Sequence, residues 1–198
     1  MGRKILIVGG VAGGASAAAR LRRNNEEDQI IMFEKGPHVS FSNCSLPYHL
    51  SGIVEEAEHL VLMNPNLFLK QYNIDARINS QVIKVDREKK TVTVRKTDSG
   101  EIYTESYDKL ILSPGASPIV PRFSGLEEVN LFTVRNVLDI DKLNRHVKEV
   151  ESKEISVIGG GFIGVEVAEN LSKAGYKVTL IEATKQILRT YDYDMVQI

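Results

Sequence analysis

Residues 4–34, KILIVGGVAGGASAAARLRRNNEEDQIIMFE, carry the pattern that predicts the fold of this chain. Its first part, Lys4–Val8, is a short apolar run that suits a buried parallel strand. A glycine-rich turn at residues 9–14 follows, and residues 15–23 have high helix propensity. A second apolar run at residues 30–33 then predicts a neighbouring strand. The order of strand, glycine turn, helix and strand is that of a dinucleotide-binding unit.

The acid that closes this stretch, Glu34, lies 20 residues beyond Gly14. In a dinucleotide-binding unit, this spacing places the acid where it accepts a hydrogen bond from a ribose hydroxyl. The glycines let the backbone approach a pyrophosphate, which rests on the helix N-terminus. Val11 stands where the GxGxxG fingerprint has its second glycine, so the first turn departs from the generic pattern.

The same pattern returns 150 residues later with an intact fingerprint, Gly159–Gly164. Residues 155–158 and 177–181 predict strands around a helix at 165–174, and the second strand closes on Glu182. Two such units imply two nucleotides handled together, and the usual reason is hydride passing from a nicotinamide to a flavin.

The second acid bears on the choice of nicotinamide nucleotide. A carboxylate at Glu182 accepts from a free 2′-hydroxyl and repels a 2′-phosphate, which favours NADH over NADPH. Lys185 lies just downstream and softens that rejection. We therefore predict NADH, with NADPH as the alternative.

Between the two units the pattern alternates with period two, at residues 82–86, 91–96 and 101–106. This predicts an antiparallel meander, after which residues 110–112 rejoin the parallel sheet. A charged amphipathic helix is predicted at residues 137–150, with the role of a solvated surface helix.

Three prolines around Gly115 mark a domain boundary near residue 120. We predict an α/β fold with two Rossmann-like domains that have parallel sheets, the first carrying the meander as an insertion. The first domain is predicted at residues 1–120 and the second, incomplete, at residues 121–198.

Composition excludes several classes of partner. The chain has 25 Lys and Arg against 26 Asp and Glu, so it offers no electrostatic footprint for nucleic acid or an anionic membrane. A single cysteine forbids an intrachain disulfide and favours a reducing, cytoplasmic compartment. No metal site is predicted.

The lone cysteine lies in a polar segment, SFSNCSLPY at residues 40–48. Asn43 or Ser45 is predicted to cap a helix there, which places Cys44 at a helix N-terminus, where the dipole favours the thiolate. A single cysteine is otherwise most often a small core residue, and this reading stays open. His49 beside the motif is predicted to have a surface or packing role.

These segments, with LSPGA at residues 112–116 and the second fingerprint through Glu166, resemble the N-terminal part of FAD-dependent pyridine nucleotide–disulfide oxidoreductases. More narrowly, they resemble the single-cysteine, coenzyme A–disulfide reductase-like branch, with which Val11 also agrees. Two-cysteine relatives carry CxxxxC, whereas the fifth position after Cys44 is His49. The resemblance implies domains of the glutathione-reductase type, with FAD in the first and NAD(P)H in the second.

The resemblance also implies a set of binding residues. For FAD these are Gly9, Val11, Ala12, Gly13, Glu34, Lys35, Val82, Ser113 and Gly115. For the nicotinamide nucleotide they are Gly159, Gly161, Phe162, Ile163, Gly164, Glu166 and Glu182. For coenzyme A, Arg23 and Lys70 would meet the phosphates, while Ser40, Phe41 and Asn43 would line the pantetheine channel.

The activity implied by the resemblance runs through Cys44. Hydride passes from NAD(P)H to FAD, the reduced flavin breaks a mixed disulfide at Cys44, and the thiolate attacks the next coenzyme A disulfide or persulfide. One alternative is an NADH oxidase or peroxidase that uses a cysteine sulfenic acid. Those relatives place a histidine in the first glycine turn, where this chain has Val11 and Ala12. The other alternative is a non-catalytic nucleotide-binding fragment in which Cys44 only packs.

The chain stops soon after Glu182, with one βαβ unit of its second domain. We therefore expect a fragment that is a poor or inactive enzyme alone. The resemblance implies a full-length homodimer in which the partner subunit lends a tyrosine to the active site.

Overall fold

The structure is a computed structural model that describes residues 2–122 and 124–197. The described residues divide into two compact units. The first unit comprises residues 2–42 and 61–117, and the second comprises residues 43–60 and 118–197. The segment that carries the cysteine therefore belongs to the second unit.

The first unit holds a parallel sheet, two helices and an antiparallel sheet. In chain order its elements are β1 (Lys4–Val8), α1 (Ala12–Asn24), β2 (Gln29–Phe33), α2 (Pro65–Tyr72), β3 (Ile74–Arg77), β4 (Ser80–Asp86), β5 (Thr91–Lys96), β6 (Ile102–Ser106) and β7 (Lys109–Leu112). The parallel sheet has the order β3-β2-β1-β7, and the antiparallel sheet has the order β4-β5-β6.

The parallel sheet is buried on both faces, which explains why β1 and β2 are almost continuously apolar. On one face Ile7 and Met32 pack with Ala18 of α1 and Phe68 of α2. On the other face Leu6, Ile31 and Phe33 pack with Val92 and Val94 of the meander. The predicted α/β fold with a parallel sheet and an antiparallel meander is confirmed.

Charged groups fasten the meander to the parallel sheet at one place. Glu105 of β6 accepts hydrogen bonds from Lys4 of β1 and from Arg77 of β3, the latter at 2.7 Å. The guanidinium of Arg77 also lies 5.6 Å from the centre of the Phe33 ring. Three strands of two sheets thus meet in one half-buried ion-pair network.

The second unit begins with two 3₁₀ helices, Asn43–His49 and Ala57–Leu60, and a third lies at Leu126–Glu128. Its remaining elements are α3 (Val137–Glu149), β8 (Glu154–Ile158), α4 (Phe162–Lys173), β9 (Lys177–Ile181) and α5 (Tyr193–Val196). β8 and β9 pair in parallel, with α4 as the crossover between them. Among the described residues, no helix is both long and apolar enough to cross a bilayer.

The helix α3 is not the solvated surface helix that the sequence predicts. One of its faces buries Val137, Ile140, Leu143 and Val147, and the helix packs against the first two 3₁₀ helices. Its charged residues occupy the opposite face. The predicted amphipathic helix is therefore present, but its apolar face is buried against other elements of the unit.

Candidate functional site

The two glycine turns share one backbone geometry. Gly9 N–H donates to Phe33 O at 2.8 Å, and Gly159 N–H donates to Ile181 O at the same distance. Gly9 has φ +99° and Gly159 has φ +107°, a region that L-residues with a side chain rarely adopt. The repeat seen in the sequence is therefore a repeat in three dimensions.

The acid of the first unit closes its glycine turn. Glu34 Oε2 accepts from Gly10 N–H and Glu34 Oε1 accepts from Gly36 N–H, both at 2.9 Å. Each carboxylate oxygen has a second lone pair, so these contacts leave Glu34 able to accept from a ribose hydroxyl.

The acid of the second unit makes the same two contacts. Glu182 Oε2 accepts from Gly160 N–H at 2.6 Å, and Glu182 Oε1 accepts from Thr184 N–H at 2.8 Å. These hydrogen bonds, with that of Gly160 the stronger influence, lower the pKa of Glu182 from its ordinary value. Glu182 is therefore an anion at neutral pH.

The helices that follow the turns begin with open amide groups. α1 starts at Ala12 after Val11, and α4 starts at Phe162 after Gly161. Neither helix has an acidic residue in its first turn or a capping hydrogen bond from a side chain among the described residues. The positive ends of both helix dipoles are thus left for an external anion, which fits the pyrophosphate of a dinucleotide at each turn.

The segment after β7 lies against the first turn. Ser113 N–H donates to Val8 O at 2.7 Å, and a Cβ placed on Gly9 would lie only 1.9 Å from Ser113 O. A Cβ on Gly13 would lie 3.3 Å from Ser113 Oγ. The predicted residues Gly9, Gly13 and Ser113 therefore come together, and exposed Gly115 follows with φ +68°.

Two predicted FAD residues lie at the edge of this arrangement. Lys35 is exposed next to Glu34, and its carbonyl accepts from Thr97 Oγ1 at 3.2 Å. Val82 lies in β4 beside a β-bulge and packs against the apolar cluster around Ile31. The sheet contact of Val82 is a packing contact, and its predicted role in cofactor binding stays a prediction.

The start of the cysteine motif reaches the first turn. Ser40 has a left-handed backbone with φ +49°, and its N–H donates to Gly10 O at 2.8 Å. Phe41 is buried and forms an isolated bridge with Val61. Leu188 repeats the Ser40 geometry in the second unit, with φ +48° and a 2.7 Å hydrogen bond to Gly160 O.

The predicted nicotinamide residues cluster at the start of α4. Gly161, Phe162 and Ile163 are exposed there, and Glu166 is half-buried one turn later. The Phe162 ring meets the Tyr191 ring edge-on, with centroids 5.7 Å apart. A Cβ on Gly164 would lie 1.8 Å from Gly159 O, so α4 packs directly on its own turn.

Cys44 is exposed and lies near the start of the 3₁₀ helix Asn43–His49. The predicted cap is wrong for Asn43, because its Oδ1 is buried and has no hydrogen-bond partner among the described residues. Pro47 lies inside this helix. An exposed thiol is not a packing residue, so the reading of Cys44 as a core cysteine is not supported.

Polar side chains that were not predicted from the sequence connect the cysteine segment to α3 and α4. His49 contacts Asn144 of α3 through its Nε2 at 2.9 Å, and Ser51 Oγ donates to Asn170 Oδ1 of α4 at 2.7 Å. Asn144 is a polar residue on the otherwise apolar face of α3. A polar residue at such a position indicates a buried hydrogen-bond partner, and this was the one sign of the contact in the sequence. His49 itself is buried, as its predicted packing role requires.

The predicted phosphate contacts lie at the ends of two neighbouring helices. Arg22 donates to Tyr72 O and to Asn73 O, both at 2.8 Å, which holds the ends of α1 and α2 side by side. Arg23 and Lys70, in the last turns of these helices, are both exposed.

The family model of pyridine nucleotide-disulphide oxidoreductases matches residues 3–198. The chain belongs to this family. Among curated relatives of these oxidoreductases, the coenzyme A disulfide reductase of Staphylococcus haemolyticus is 38% identical over 196 residues, which are 99% of this chain and 44% of that protein. The chain thus spans less than half the length of this relative.

Solved structures of oxidoreductases are similar to this chain over almost its whole length. Reduced Bacillus anthracis CoADR-RHD has a TM-score of 0.95 and 49% identity, covering 99% of this chain and 35% of its own. The NAD-dependent persulfide reductase from A. fulgidus has a TM-score of 0.91 and 31% identity, covering 98% and 36%. The predicted resemblance to pyridine nucleotide–disulfide oxidoreductases, including its coenzyme A–disulfide reductase-like branch, is confirmed.

Proposed function

We propose that this chain is the nucleotide- and thiol-bearing part of a flavin-dependent oxidoreductase that uses NADH to reduce coenzyme A disulfide or persulfide through Cys44. The observation that carries the proposal is an exposed single cysteine on a short, side-chain-anchored helix, in a chain with two open glycine turns. The names of the relatives in the family support the same substrate class.

The reacting group is the Cys44 thiolate. Its sulfur attacks one sulfur of a coenzyme A disulfide, forms a mixed disulfide and releases one coenzyme A thiolate. With His49 at the fifth position after Cys44, the chain offers no second thiol to resolve the mixed disulfide internally. Reduction of the mixed disulfide takes two electrons, which a bound cofactor would supply, and it gives back the Cys44 thiolate and releases the second coenzyme A thiolate.

The first turn is the proposed FAD site and the second the proposed NADH site. When bound, FAD and the nicotinamide nucleotide supply the electron pair that returns Cys44 to the thiolate. Glu34 would accept a hydrogen bond from a ribose hydroxyl of the first nucleotide. The N-terminus of α1 would bind its pyrophosphate. Hydrogen bonds from Gly160 and Thr184 keep Glu182 ionised. Its carboxylate would accept a hydrogen bond from the 2′-hydroxyl of NADH and would repel the 2′-phosphate of NADPH.

Coenzyme A carries phosphates, and the exposed cations Arg23 and Lys70 are proposed to bind them. Ser40, Phe41 and Asn43, adjacent to Cys44 in the chain, are proposed to contact the pantetheine arm. The free cysteine supports a reducing, cytoplasmic compartment, and the homodimer predicted for the full-length protein is part of the same proposal.

Competition kinetics test the substrate class. We expect Cys44 to exchange faster with coenzyme A disulfide than with glutathione disulfide, and the variant Cys44→Ser to form no adduct. Arg23→Ala and Lys70→Ala each remove one exposed charge contact worth about 0.4–1 kcal/mol, so each slows the coenzyme A reaction by roughly two- to fivefold. The glutathione rate serves as the internal control, because it does not depend on these phosphates.

Equal rates with both disulfides would remove coenzyme A from the proposal. Stoichiometric conversion of Cys44 to sulfenic acid by peroxide, faster than either exchange, would favour the peroxidase alternative. A thiol that reacts with none of these reagents would support the non-catalytic fragment.

A further inference from the structure

The buried imidazole of His49 makes a defined contact with each ring nitrogen. His49 is 5% exposed and Asn144 is 4% exposed, and both lie within the second unit. His49 Nδ1 lies 2.8 Å from Val54 O, and His49 Nε2 lies 2.9 Å from Asn144 Nδ2.

These partners fix the tautomer of His49. A carbonyl oxygen only accepts, so Nδ1 carries the proton and donates to Val54 O. The Nε2 of that neutral imidazole has a lone pair, which accepts from the amide Nδ2–H of Asn144. Asn144 is therefore the donor of this hydrogen bond, and His49 Nε2 is its acceptor.

Stability alone does not account for Asn144. Its Oδ1 is buried and has no hydrogen-bond partner within residues 2–122 and 124–197. A typical neutral hydrogen bond contributes about 0.5–1.5 kcal/mol net, whereas an unpaired buried polar atom costs about 1–3 kcal/mol. The two contributions roughly cancel, so the Asn144 side chain adds little net stability of its own, although its removal would leave His49 Nε2 buried without a donor.

The geometry gives the contact a different role. His49 is the last residue of the 3₁₀ helix on which Cys44 lies near the start. Asn144 lies in the interior of α3, where Ile140, Leu143 and Val147 are buried around it. One hydrogen bond thus connects the helix that carries the thiol to a helix fixed in the core of the unit.

We propose that His49 and Asn144 are positioning residues, which hold the 3₁₀ helix in the orientation that presents Cys44 to a bound disulfide. This inference rests on the proposed function, since it takes Cys44 as the reacting group. It adds the two residues that direct the thiol, and it assigns the proton of His49 to Nδ1.

Two substitutions of His49 separate positioning from packing. His49→Gln keeps an acceptor at the place of Nε2, so it retains the hydrogen bond from Asn144. His49→Asn keeps a donor at the place of Nδ1 and loses the contact with α3. We expect His49→Gln to stay within about twofold of the wild-type rate with coenzyme A disulfide, and His49→Asn and Asn144→Leu to lose about fivefold, the equivalent of one net hydrogen bond.

The matched reagent is 2,2′-dithiodipyridine, a small disulfide that needs no oriented thiol. Its rate with Cys44 should be equal in all variants, so the ratio of the two rates reports orientation rather than thiol chemistry. Glu105→Gln, which removes a polar contact in the first unit, controls for a general loss of stability and should leave the ratio unchanged. Circular dichroism melting confirms that every variant is folded.

Nitrogen-15 NMR of the imidazole supplies a readout that packing does not set. We expect the neutral Nδ1–H tautomer of His49 in the wild type, and a shifted Nε2 resonance in Asn144→Leu, where Nε2 has lost its donor while Val54 O still accepts from Nδ1. The opposite tautomer in the wild type overturns the inference. So does a rate ratio that His49→Asn and Asn144→Leu leave unchanged while wild-type Cys44 still forms the coenzyme A adduct. If wild-type Cys44 forms no adduct at all, the proposed function fails and the inference falls with it.

Discussion

Alanine at Gly9 and at Gly159 should have different effects although the two glycines occupy equivalent turns. Both have a positive φ, +99° and +107°, so an alanine at either position carries a conformational strain of about 1–2 kcal/mol. A Cβ at Gly9 would also lie 1.9 Å from Ser113 O, whereas a Cβ at Gly159 has no described atom within 4 Å. The strain is common to both variants, and the clash is specific to Gly9.

The clash has a defined consequence for the first unit. Ser113 O is a backbone atom at the end of β7, so relief of the contact moves the backbone beside the Ser113–Val8 hydrogen bond of 2.7 Å. Overpacking of this kind costs about 1–3 kcal/mol. We therefore expect Gly9→Ala to lower the free energy of opening of β1 by about 1–3 kcal/mol more than Gly159→Ala lowers that of β8.

Native-state hydrogen exchange with mass spectrometry suits this comparison, because peptides from β1 and β8 report the two units separately. The wild-type chain supplies the reference for each peptide. Equal losses in the two variants would show that the clash with Ser113 is relieved without cost, and would contradict the expected difference.

Three further predictions concern charge and the second turn. Burial raises the pKa of Glu105, but the hydrogen bonds from Lys4 and Arg77 outweigh burial and leave this pKa below its ordinary value. The ionised Glu105 therefore stabilises the fold at neutral pH, and this stabilisation is lost as the pH falls through the folded-state pKa. Glu105→Gln should thus cost about 0.5–1 kcal/mol at pH 7 after solvent screening, and chemical denaturation at pH 7 and pH 3 should show that difference shrink; a difference that grows at low pH contradicts the sign. Glu182→Gln removes the anion that repels a 2′-phosphate, and should raise the affinity for NADPH relative to NADH in fluorescence titrations; an unchanged ratio would show that Glu182 does not discriminate. Gly161→Ala meets no described atom within 4 Å, so it should leave the melting temperature unchanged and weaken NADH binding if the pyrophosphate lies against that turn; unchanged binding contradicts the site.

The strands and turns were predictable because their signals are local. Continuous apolar runs mark β1 and β2, and the alternation in β4, β5 and β6 marks the meander, with ends that differ by two residues or fewer from the structure. Both helices after the turns start three residues earlier than predicted, at Ala12 and Phe162. Glycines lower helix propensity, but the close packing of each helix on its turn outweighs that penalty of about 1 kcal/mol.

Contacts between distant residues were not predictable from the chain alone. The hydrogen bond between His49 and Asn144 joins residues 95 positions apart, and neither residue type demands the other. The helix α2 was also missed, although Asn64 caps it and Pro65 begins it in a pattern typical of helix starts. The glycine turns and Cys44 were identified because single residue types are required there.

In the proposed function, the one thiol of this chain takes coenzyme A from its disulfide. Intact-mass spectrometry of the purified chain after exposure to coenzyme A disulfide measures this transfer. We expect a gain of one coenzyme A per chain, located on Cys44 by peptide mapping, reversed by dithiothreitol and absent in Cys44→Ser. A chain whose mass is unchanged while its thiol remains free and reactive towards 2,2′-dithiodipyridine would contradict it.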